Sequence, residues 1–324
     1  MCWRRSARWI CSNDRVAPVT AAVSAIAAVR PAADQLRRAY DVHGIRVRVT
    51  SNDATALRLV HETYASFEIL DGGGGWLDFA IVRGIGDAWI VRTPDDAEAR
   101  WPTVTNAVIA LFDGLVGTII ARLHDAGIYA VHAGAVADDR GAVVIAGRSG
   151  QGKTTLVLGL LSRTFRLLSD ELALFDPVGR RVLAYRRSVH VRPGTLPLLP
   201  DLAVLEGRPR GELGGGSEWA VRPEEISAIL GGGPTDLPTS ADLGAVIILD
   251  GTPDASRAPR LEKISPAIAA LELLRGTWAA SVDFGGTLDA LSSVISGVPC
   301  ARLRVGNFDA TLDTIVAWRS AGDR

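Results

Sequence analysis

Apolar and polar positions alternate in the first part of the chain in a way that predicts a small α+β segment. Three aliphatic residues alternate with arginines in 44–50, which is the period of a half-buried strand. A helix is predicted over 54–64, with Asn52 or Asp53 as its cap, and a longer helix over 103–124. Shorter strand-like runs, separated by glycine-containing turns, are predicted at 66–70, 76–82 and 88–92.

The second part of the chain has longer apolar runs, which are typical of strands buried on both faces. The runs at 128–136 and 142–146 predict two strands joined by a turn, and 243–249 predicts a central strand. Two more strands are predicted at 165–169 and 172–175, and helical or extended segments at 266–274, 287–295, 300–305 and 310–318. Residues 186–240 are rich in Arg, Gly and Pro, which predicts long, mobile loops.

These patterns divide the chain into three predicted regions: an N-terminal extension at 1–35, the α+β segment at 36–125 and a catalytic domain at 126–324. The extension places arginines before an Ala/Val-rich run and so imitates a signal peptide. Charged residues precede and end that run and polar residues dilute it, which favours a helix or a mobile extension instead. Elsewhere no run of about 18 apolar residues occurs, so no membrane span is expected.

Composition and charge exclude several classes of function. The chain has 324 residues, of which 48% are hydrophobic and 22% charged, so it can bury a sizeable core. A net charge of −1 gives no reason to expect bulk binding to nucleic acid or an anionic membrane. Three cysteines form no disulfide framework and are typical of a reducing cytoplasm, the predicted location. The use of arginine over lysine is typical of a GC-rich bacterial genome.

A phosphate-binding loop follows the strand predicted at 142–146. The string GRSGQGKT at 147–154 fits G-x-x-x-x-G-K-[ST], and an apolar helical pattern follows it. Backbone amides and a helix N-terminus can cradle phosphates there, with Lys153 on the β/γ-phosphates and Thr154 on Mg²⁺. The predicted ligands are therefore ATP and Mg²⁺. The predicted nucleotide-binding residues are Gly147, Arg148, Ser149, Gly150, Gln151, Gly152, Lys153, Thr154 and Thr155.

A P-loop enzyme also needs an acidic residue at the end of a neighbouring strand to hold the metal ion. Asp250 ends the apolar run 243–249, the usual pattern for that role. Asp170 and Glu171 end the strand predicted at 165–169. Periodicity leaves both alternatives open.

The chain resembles the HPr kinase/phosphorylase superfamily in three features that occur in the same order. These are the dipeptide His132-Ala133, the loop GRSGQGKTT and the run RLLSDE that ends at Glu171. The resemblance is specific over about 128–200 and weaker to about 318. It implies an α/β fold with a mixed sheet and a P-loop kinase core related to phosphoenolpyruvate carboxykinase, and transfer of a γ-phosphoryl group to a hydroxyl.

The same resemblance implies roles for the site residues. Asp170 matches the acid that activates the acceptor hydroxyl, and His132 matches the residue that orients it. Glu171 stands where the family proper has a second Asp and would serve Mg²⁺. Together with the loop residues, the predicted catalytic set is Asp170, His132 and Lys153, and the predicted metal ligands are Thr154, Glu171 and Asp170. The strand before Asp170 is expected to run beside the P-loop strand, which would bring its end close to the γ-phosphate.

Departures from the family proper point to its stand-alone relatives, which include lasso-peptide precursor kinases. Ser188–Arg192 lacks the family's glutamate, and Thr235–Leu243 lacks its arginine. The expected acceptor is therefore a peptide or protein serine, contacted by arginines at 186, 187 and 192. Another P-loop NTPase, a carboxykinase-like enzyme or a nucleotide-sensing module remain the alternatives, and whether the chain forms a homo-oligomer stays open.

Overall fold

The computed structural model describes residues 36–211, 213, 217–231, 237–277 and 283–321. The N-terminal extension predicted at 1–35 lies outside the described residues. The described chain falls into two compact units. One comprises 36–122 with 210–220, and the other comprises 123–209 with 221–321.

The first unit is built on a mixed six-stranded sheet in the order β3-β1-β2-β4-β5-β6. Its strands are β1 (Leu36–Val42), β2 (Ile45–Ser51), β3 (Glu68–Ile69), β4 (Leu77–Arg83), β5 (Trp89–Arg92) and β6 (Glu98–Trp101). Its helices are α1 (Ala54–Tyr64) and α2 (Val104–Asp125), the last residues of which belong to the second unit. β2 and β4 are parallel, because α1 carries the chain back between them, and the other pairs are antiparallel.

Local sequence explains most of this unit. The Asp53 side chain accepts a hydrogen bond from the Ala56 amide (2.9 Å), as expected for the cap of α1. Val47 and Val49 of β2 are buried while Arg46 is exposed, which confirms the predicted alternation. The strand predicted at 66–70 is only two residues long, because a 3₁₀ turn takes up its first half. β1 and β6 were not predicted, because charged residues in both strands obscure the alternation of apolar and polar positions.

Among the described residues, α2 is the one helix with the length and apolar composition of a membrane span. The core helix of a soluble protein passes the same test. Within the first unit, α2 buries Ala107, Leu111 and Leu115, and the Phe112 ring lies 5.7 Å from that of Tyr64.

The second unit contains an eight-stranded sheet flanked by helices. Its strands are β7 (Tyr129–Asp138), β8 (Gly141–Ala146), β9 (Arg166–Ser169), β10 (Leu172–Asp176), β11 (Arg181–Leu183), β14 (Ser240–Leu249), β15 (Arg260–Lys263) and β16 (Cys300–Arg304). Its helices are α3 (Lys153–Leu161), α4 (Pro223–Ile229), α5 (Pro266–Leu274), α6 (Phe284–Ile295) and α7 (Phe308–Ala321). A further short strand of this unit is β12 (Val189–Val191), whereas β13 (Trp219–Val221) begins in the segment 210–220 of the first unit.

This sheet is mixed, and part of it closes on itself. The main order is β11-β10-β7-β8-β14-β16-β15, and β9 pairs with the part of β7 that does not pair with β10. β11 also pairs with the first residues of β14, so β11, β10, β7, β8 and β14 form a closed circuit. The structure therefore confirms a mixed α/β architecture.

Helices cover both faces of the sheet because its central strands are apolar on both. On one face, α5 and α6 share a buried cluster with Ala133 and Ala135 of β7 and with Val144 of β8. On the other, α3 lies against β7 at Gly134, where an added Cβ would come within 2.5 Å of Val157 Cγ2. The missing side chain at 134 lets the helix that follows the P-loop lie close to the strand.

Two predictions about the second unit are wrong. Residues 186–240 are not simply loops: they contain β12, β13, α4 and 3₁₀ helices at 193–198 and 200–205. Four leucines three residues apart are buried along that 3₁₀ segment, namely Leu196, Leu199, Leu202 and Leu205. The strand before Asp170 does not run beside the P-loop strand either, because β7 lies between β9 and β8.

Candidate active site

Three predicted site segments come to one edge of the sheet. β14 is parallel to β8, and β9 and β8 are both antiparallel to β7. The three strands β8, β9 and β14 therefore run the same way, and the residues immediately after each strand lie at their shared carboxyl edge. These segments are the loop 147–152, the pair Asp170-Glu171 and Asp250.

The P-loop has the backbone that its glycines predict. Gly150 and Gly152 have φ angles of 78° and 87°, a left-handed conformation that other residues adopt only with strain. Gly152 is the N-terminal flanking residue of α3, which begins at Lys153. The amides at this helix start have no intrahelical partner and form a natural site for phosphate.

Lys153 is folded back onto the loop. Its Nζ donates hydrogen bonds to the carbonyl oxygens of Gly147 (2.8 Å) and Arg148 (3.2 Å). The side chain is only 7% exposed, and burial lowers the pKa of Lys153 to about 8, with the charge of Glu171 acting in the opposite direction. Lys153 is thus a buried cation next to an acidic residue.

Gln151 ties the loop to the end of β14. Its Oε1 accepts a hydrogen bond from the Arg148 amide (2.5 Å), and its Nε2 donates to the carbonyl oxygen of Gly251 (3.0 Å). Gly147 leaves room for this arrangement, because an added Cβ there would lie 2.7 Å from Gln151 Oε1 and 2.8 Å from Leu249 Cβ. The loop therefore closes on itself through its own side chain.

Asp170 lies in the short connection between β9 and β10. The hydroxyl of Ser169 fixes this turn by accepting hydrogen bonds from the amides of Glu171 (3.2 Å) and Leu172 (3.0 Å). Asp170 is 5% exposed, and its Oδ1 is buried with no hydrogen-bond partner. Burial raises the pKa of Asp170 to about 6, and the charge of Arg187 opposes that rise.

Glu171 is surrounded by basic groups. Its carboxylate forms an ion pair with Arg187 in which the side chains are 21% and 15% exposed, respectively. Burial opposes its ionisation, but electrostatic interactions, of which that with Arg187 is the largest, outweigh burial and hold the pKa of Glu171 below its usual range. Glu171 is therefore ionised at neutral pH.

His132 connects the loop to the acidic pair. The register of β7 places Ala133 opposite Ala146, the last pair with β8, so His132 lies one residue beyond that pair. His132 pairs with Leu172 of β10, and its amide donates to the Gly276 carbonyl oxygen (2.8 Å). It also shares a strand face with Gly134, the face against which α3 lies. Burial and the charge of Lys153 lower the pKa of His132 to about 4, so its imidazole is neutral at pH 7.

The alternative acid, Asp250, has a different environment. It follows β14, the strand directly beside β8, and its side chain forms an ion pair with Arg304 at 3.3 Å. Nearly half of that side chain is exposed, at 46%. The acidic residue whose charge raises the pKa of Lys153 is Glu171 rather than Asp250.

The three predicted acceptor arginines separate in the structure. Arg187 pairs with Glu171, whereas Arg186 donates to the Leu237 carbonyl oxygen and Arg192 is exposed. His190 acts electrostatically on both acids but was not predicted as a site residue. The alternation of Ser188–Arg192 predicts a strand, and nothing in that pattern shows which strand end its histidine approaches.

The donor set for a metal ion is small. Within the described ranges, no three His, Cys, Asp or Glu residues gather into a metal-binding group. The predicted ligands are Thr154, Asp170 and Glu171, and Glu171 is held by Arg187. The oxygen of Asp170 that has no partner is therefore the acidic donor that the structure leaves for a cation.

Comparison with known proteins yields distant structural similarity but no match of sequence. No family model matches the sequence, and no curated protein matches it. Among solved structures, the chain is similar to the HPr(Ser) kinase/phosphatase of Coxiella burnetii, with a TM-score of 0.29 and 14% identity over 60% of this chain and 99% of the other. A similarity this distant decides neither the activity nor the substrate.

Proposed function

We propose that this protein is an ATP-dependent kinase that transfers the γ-phosphoryl group to a hydroxyl, with a serine of a peptide or protein as the acceptor. The observation that carries the proposal is the buried carboxylate of Asp170. One of its oxygens has no hydrogen-bond partner, and its neighbour Glu171 is electrostatically coupled to the P-loop lysine. A phosphate loop beside a buried carboxylate supports transfer to an acceptor that must lose a proton.

The residues of the loop fit a nucleotide triphosphate. Left-handed glycines at 150 and 152 turn the backbone ahead of α3, whose first amides are free of intrahelical partners. Lys153 is already buried at this helix start as a compact positive charge. Its ammonium group would exchange two carbonyl oxygens for phosphate oxygens, which are stronger partners because they are charged.

The residues also fit Mg²⁺, which prefers hard oxygen ligands. Thr154, the second residue of α3, supplies a hydroxyl, and Asp170 supplies the buried oxygen without a partner. When bound, the ion would neutralise charge on the phosphate oxygens. Glu171 contributes through its charge on Lys153 and Arg187.

Asp170 is positioned to act as the base. In the metal-free protein, burial raises the pKa of Asp170 to about 6, so the carboxylate is mostly ionised at pH 7.5 and can accept a proton. The acceptor oxygen bonds to phosphorus as its proton passes to Asp170, and the bond to the ADP oxygen breaks with its electron pair. Neutral His132, one residue beyond the last pair of β7 with β8, orients groups at this edge without adding a charge.

Incubation with labelled ATP, Mg²⁺ and serine-containing peptides tests the proposal. A phosphoserine product with equimolar ADP is the expected result, detected as a phosphate-sized mass gain. The matched variants are Lys153→Ala, Asp170→Asn and Asp250→Asn, of which only the last should keep transfer. If ADP forms only with water across all candidate acceptors, the chain is an NTPase of another class. If ATP binds and is recovered unchanged, it is a sensing module.

A further inference from the structure

Arg187 is a charged partner of Glu171 to which the proposed transfer gives no role of its own. Its guanidinium pairs with the Glu171 carboxylate, and the side chain is 15% exposed. Its positive charge also acts on Asp170 and His132. A single arginine thus reaches the groups that surround the proposed point of transfer.

The backbone that carries Arg187 is fixed to the sheet. The Tyr185 amide donates to the Leu168 carbonyl oxygen of β9 (3.0 Å), and the Ala184 amide donates to the Thr239 carbonyl oxygen (2.9 Å). Tyr185 and Ser188, on either side, are buried at 1% and 2% exposure. Leu168 lies two residues before Asp170, so the arginine and the acid are held by the same strand. Such support reduces the freedom that the side chain must lose when it binds.

We propose that Arg187 binds the transferring phosphoryl group, and that Glu171 holds its guanidinium in place when no anion is bound. The proposal rests on the kinase function proposed above. A guanidinium offers a planar fork of donors that suits a carboxylate and a phosphoryl group equally. The pair with Glu171 therefore shows that this fork already meets an oxyanion beside Asp170.

Transfer of the phosphoryl group requires a positive charge close to its oxygens. As the bond from phosphorus to the ADP oxygen breaks and the bond to the acceptor oxygen forms, negative charge spreads over three phosphoryl oxygens. The proton of the acceptor goes to Asp170, and Arg187 neither gains nor loses one. A buried guanidinium stabilises this charge more in the transition state than in bound ATP, so it raises kcat rather than ATP affinity.

ADP with Mg²⁺ and aluminium fluoride, which imitates the transferring group, tests this role without a known acceptor. Titration calorimetry would compare the wild type with Arg187→Met and with Arg304→Met, which breaks the ion pair of Asp250. We expect Arg187→Met to change the Kd for ADP by no more than about threefold. The gain in affinity on adding aluminium fluoride should be about 10²-fold smaller in this variant than in the wild type. Arg304→Met should keep both affinities.

Arg187→Met that binds the fluoride complex as tightly as the wild type would overturn the proposal. If the wild type itself does not bind ADP, the kinase function fails instead, so the two failures are distinguishable. Arg187→Lys, which keeps the charge but loses the fork, covers the case in which the Met variant does not fold. It should show a smaller loss of fluoride-dependent affinity, and no loss would again overturn the proposal.

A double-variant cycle separates binding of the phosphoryl group from simple neutralisation of Glu171. If Arg187 only neutralises that acid, Arg187→Met should have no effect on fluoride-dependent affinity in the Glu171→Gln background. If it binds the phosphoryl group, the same fold-loss should appear in both backgrounds. Thermal melting of each variant checks that the comparison is made on folded protein.

Discussion

Two acid–arginine pairs lie at the carboxyl ends of strands in the same sheet, and they differ in burial. Asp250 follows β14, and Arg304 is the last residue of the parallel strand β16. Their side chains are 46% and 52% exposed, respectively. Glu171 and Arg187 are 21% and 15% exposed, and the charge of Lys153 also acts on Glu171. Solvent screens the attraction within the Asp250–Arg304 pair, whereas the more buried Glu171–Arg187 pair is screened much less. The sequence pattern VIILD favours Asp250, but burial favours the acidic turn at 170–171 as the chemical site.

The largest expected effect comes from removing the acid in the buried region. Asp170→Asn keeps the shape of the side chain but cannot accept a proton, so kcat should fall by about 10²–10⁴-fold while the Kd for ATP changes little. Asp250→Asn, the matched change in the exposed pair, should leave kcat nearly unchanged. Steady-state kinetics would measure both, and a crippling Asp250→Asn with a mild Asp170→Asn would reverse the comparison.

Breaking the two ion pairs should have unequal effects on stability. Arg187→Met leaves Glu171 charged and poorly solvated, and we expect a loss of about 3 kcal/mol in the free energy of unfolding. Arg304→Met leaves Asp250 in contact with water and should cost less than about 1 kcal/mol. Urea unfolding at pH 7 without nucleotide measures the difference. Equal losses would mean that burial does not distinguish the pairs.

The P-loop lysine tests whether the buried region is the nucleotide site. At an ATP concentration of 100 times Kd, binding should stabilise the wild type by about 2.7 kcal/mol. Lys153→Ala should lose most of that gain because the phosphates lose their main cationic partner. Differential scanning fluorimetry with and without ATP·Mg²⁺ reports the shift, with Lys263→Ala, the other lysine of the chain, as the control. A full shift in Lys153→Ala would place the phosphates elsewhere.

The smallest expected effect is a pH dependence of stability that comes from the buried carboxylate of Asp170. The pKa of Asp170 is about 6 in the folded protein and about 4 when unfolded, so the folded state binds more protons between those values. The contribution of Asp170 to stability should therefore fall as pH rises from about 4 to 6, and Asp170→Asn lacks this contribution. The variant should gain about 2 kcal/mol on the wild type across that range, measured without nucleotide or divalent cations. A constant difference would contradict the burial of this carboxylate.

Local patterns predicted the elements on which the site is built. The unbroken apolar runs at 142–146 and 243–249 correspond to β8 and β14, and the cap at Asp53 corresponds to the start of α1. In these segments the period and the cap depend only on neighbouring residues. The glycine pattern of 147–152 likewise specifies its own backbone, because left-handed positions favour glycine.

What the sequence could not show depends on contacts between distant residues. Arg187 and His190 reach the acidic turn only because the segment after β11 returns to β9 through Tyr185. β9 lies beside β7 rather than β8, which only the sheet order reveals. The leucines spaced by three in 196–205 were a local signal, but composition alone suggested loops there.

Gly134 has a consequence for how this protein tolerates mutation. The residue lies on β7, away from the loop in sequence, yet an added methyl group would meet Val157 of α3 at 2.5 Å and would lie 3.7 Å from the Asp170 carbonyl oxygen. Even alanine at this position therefore requires the Val157 side chain, or the helix that begins with Lys153, to shift. A position with no functional group of its own thus sets the spacing between the two halves of the site. Natural variation at 134 should be restricted as strictly as at the residues that carry the chemistry.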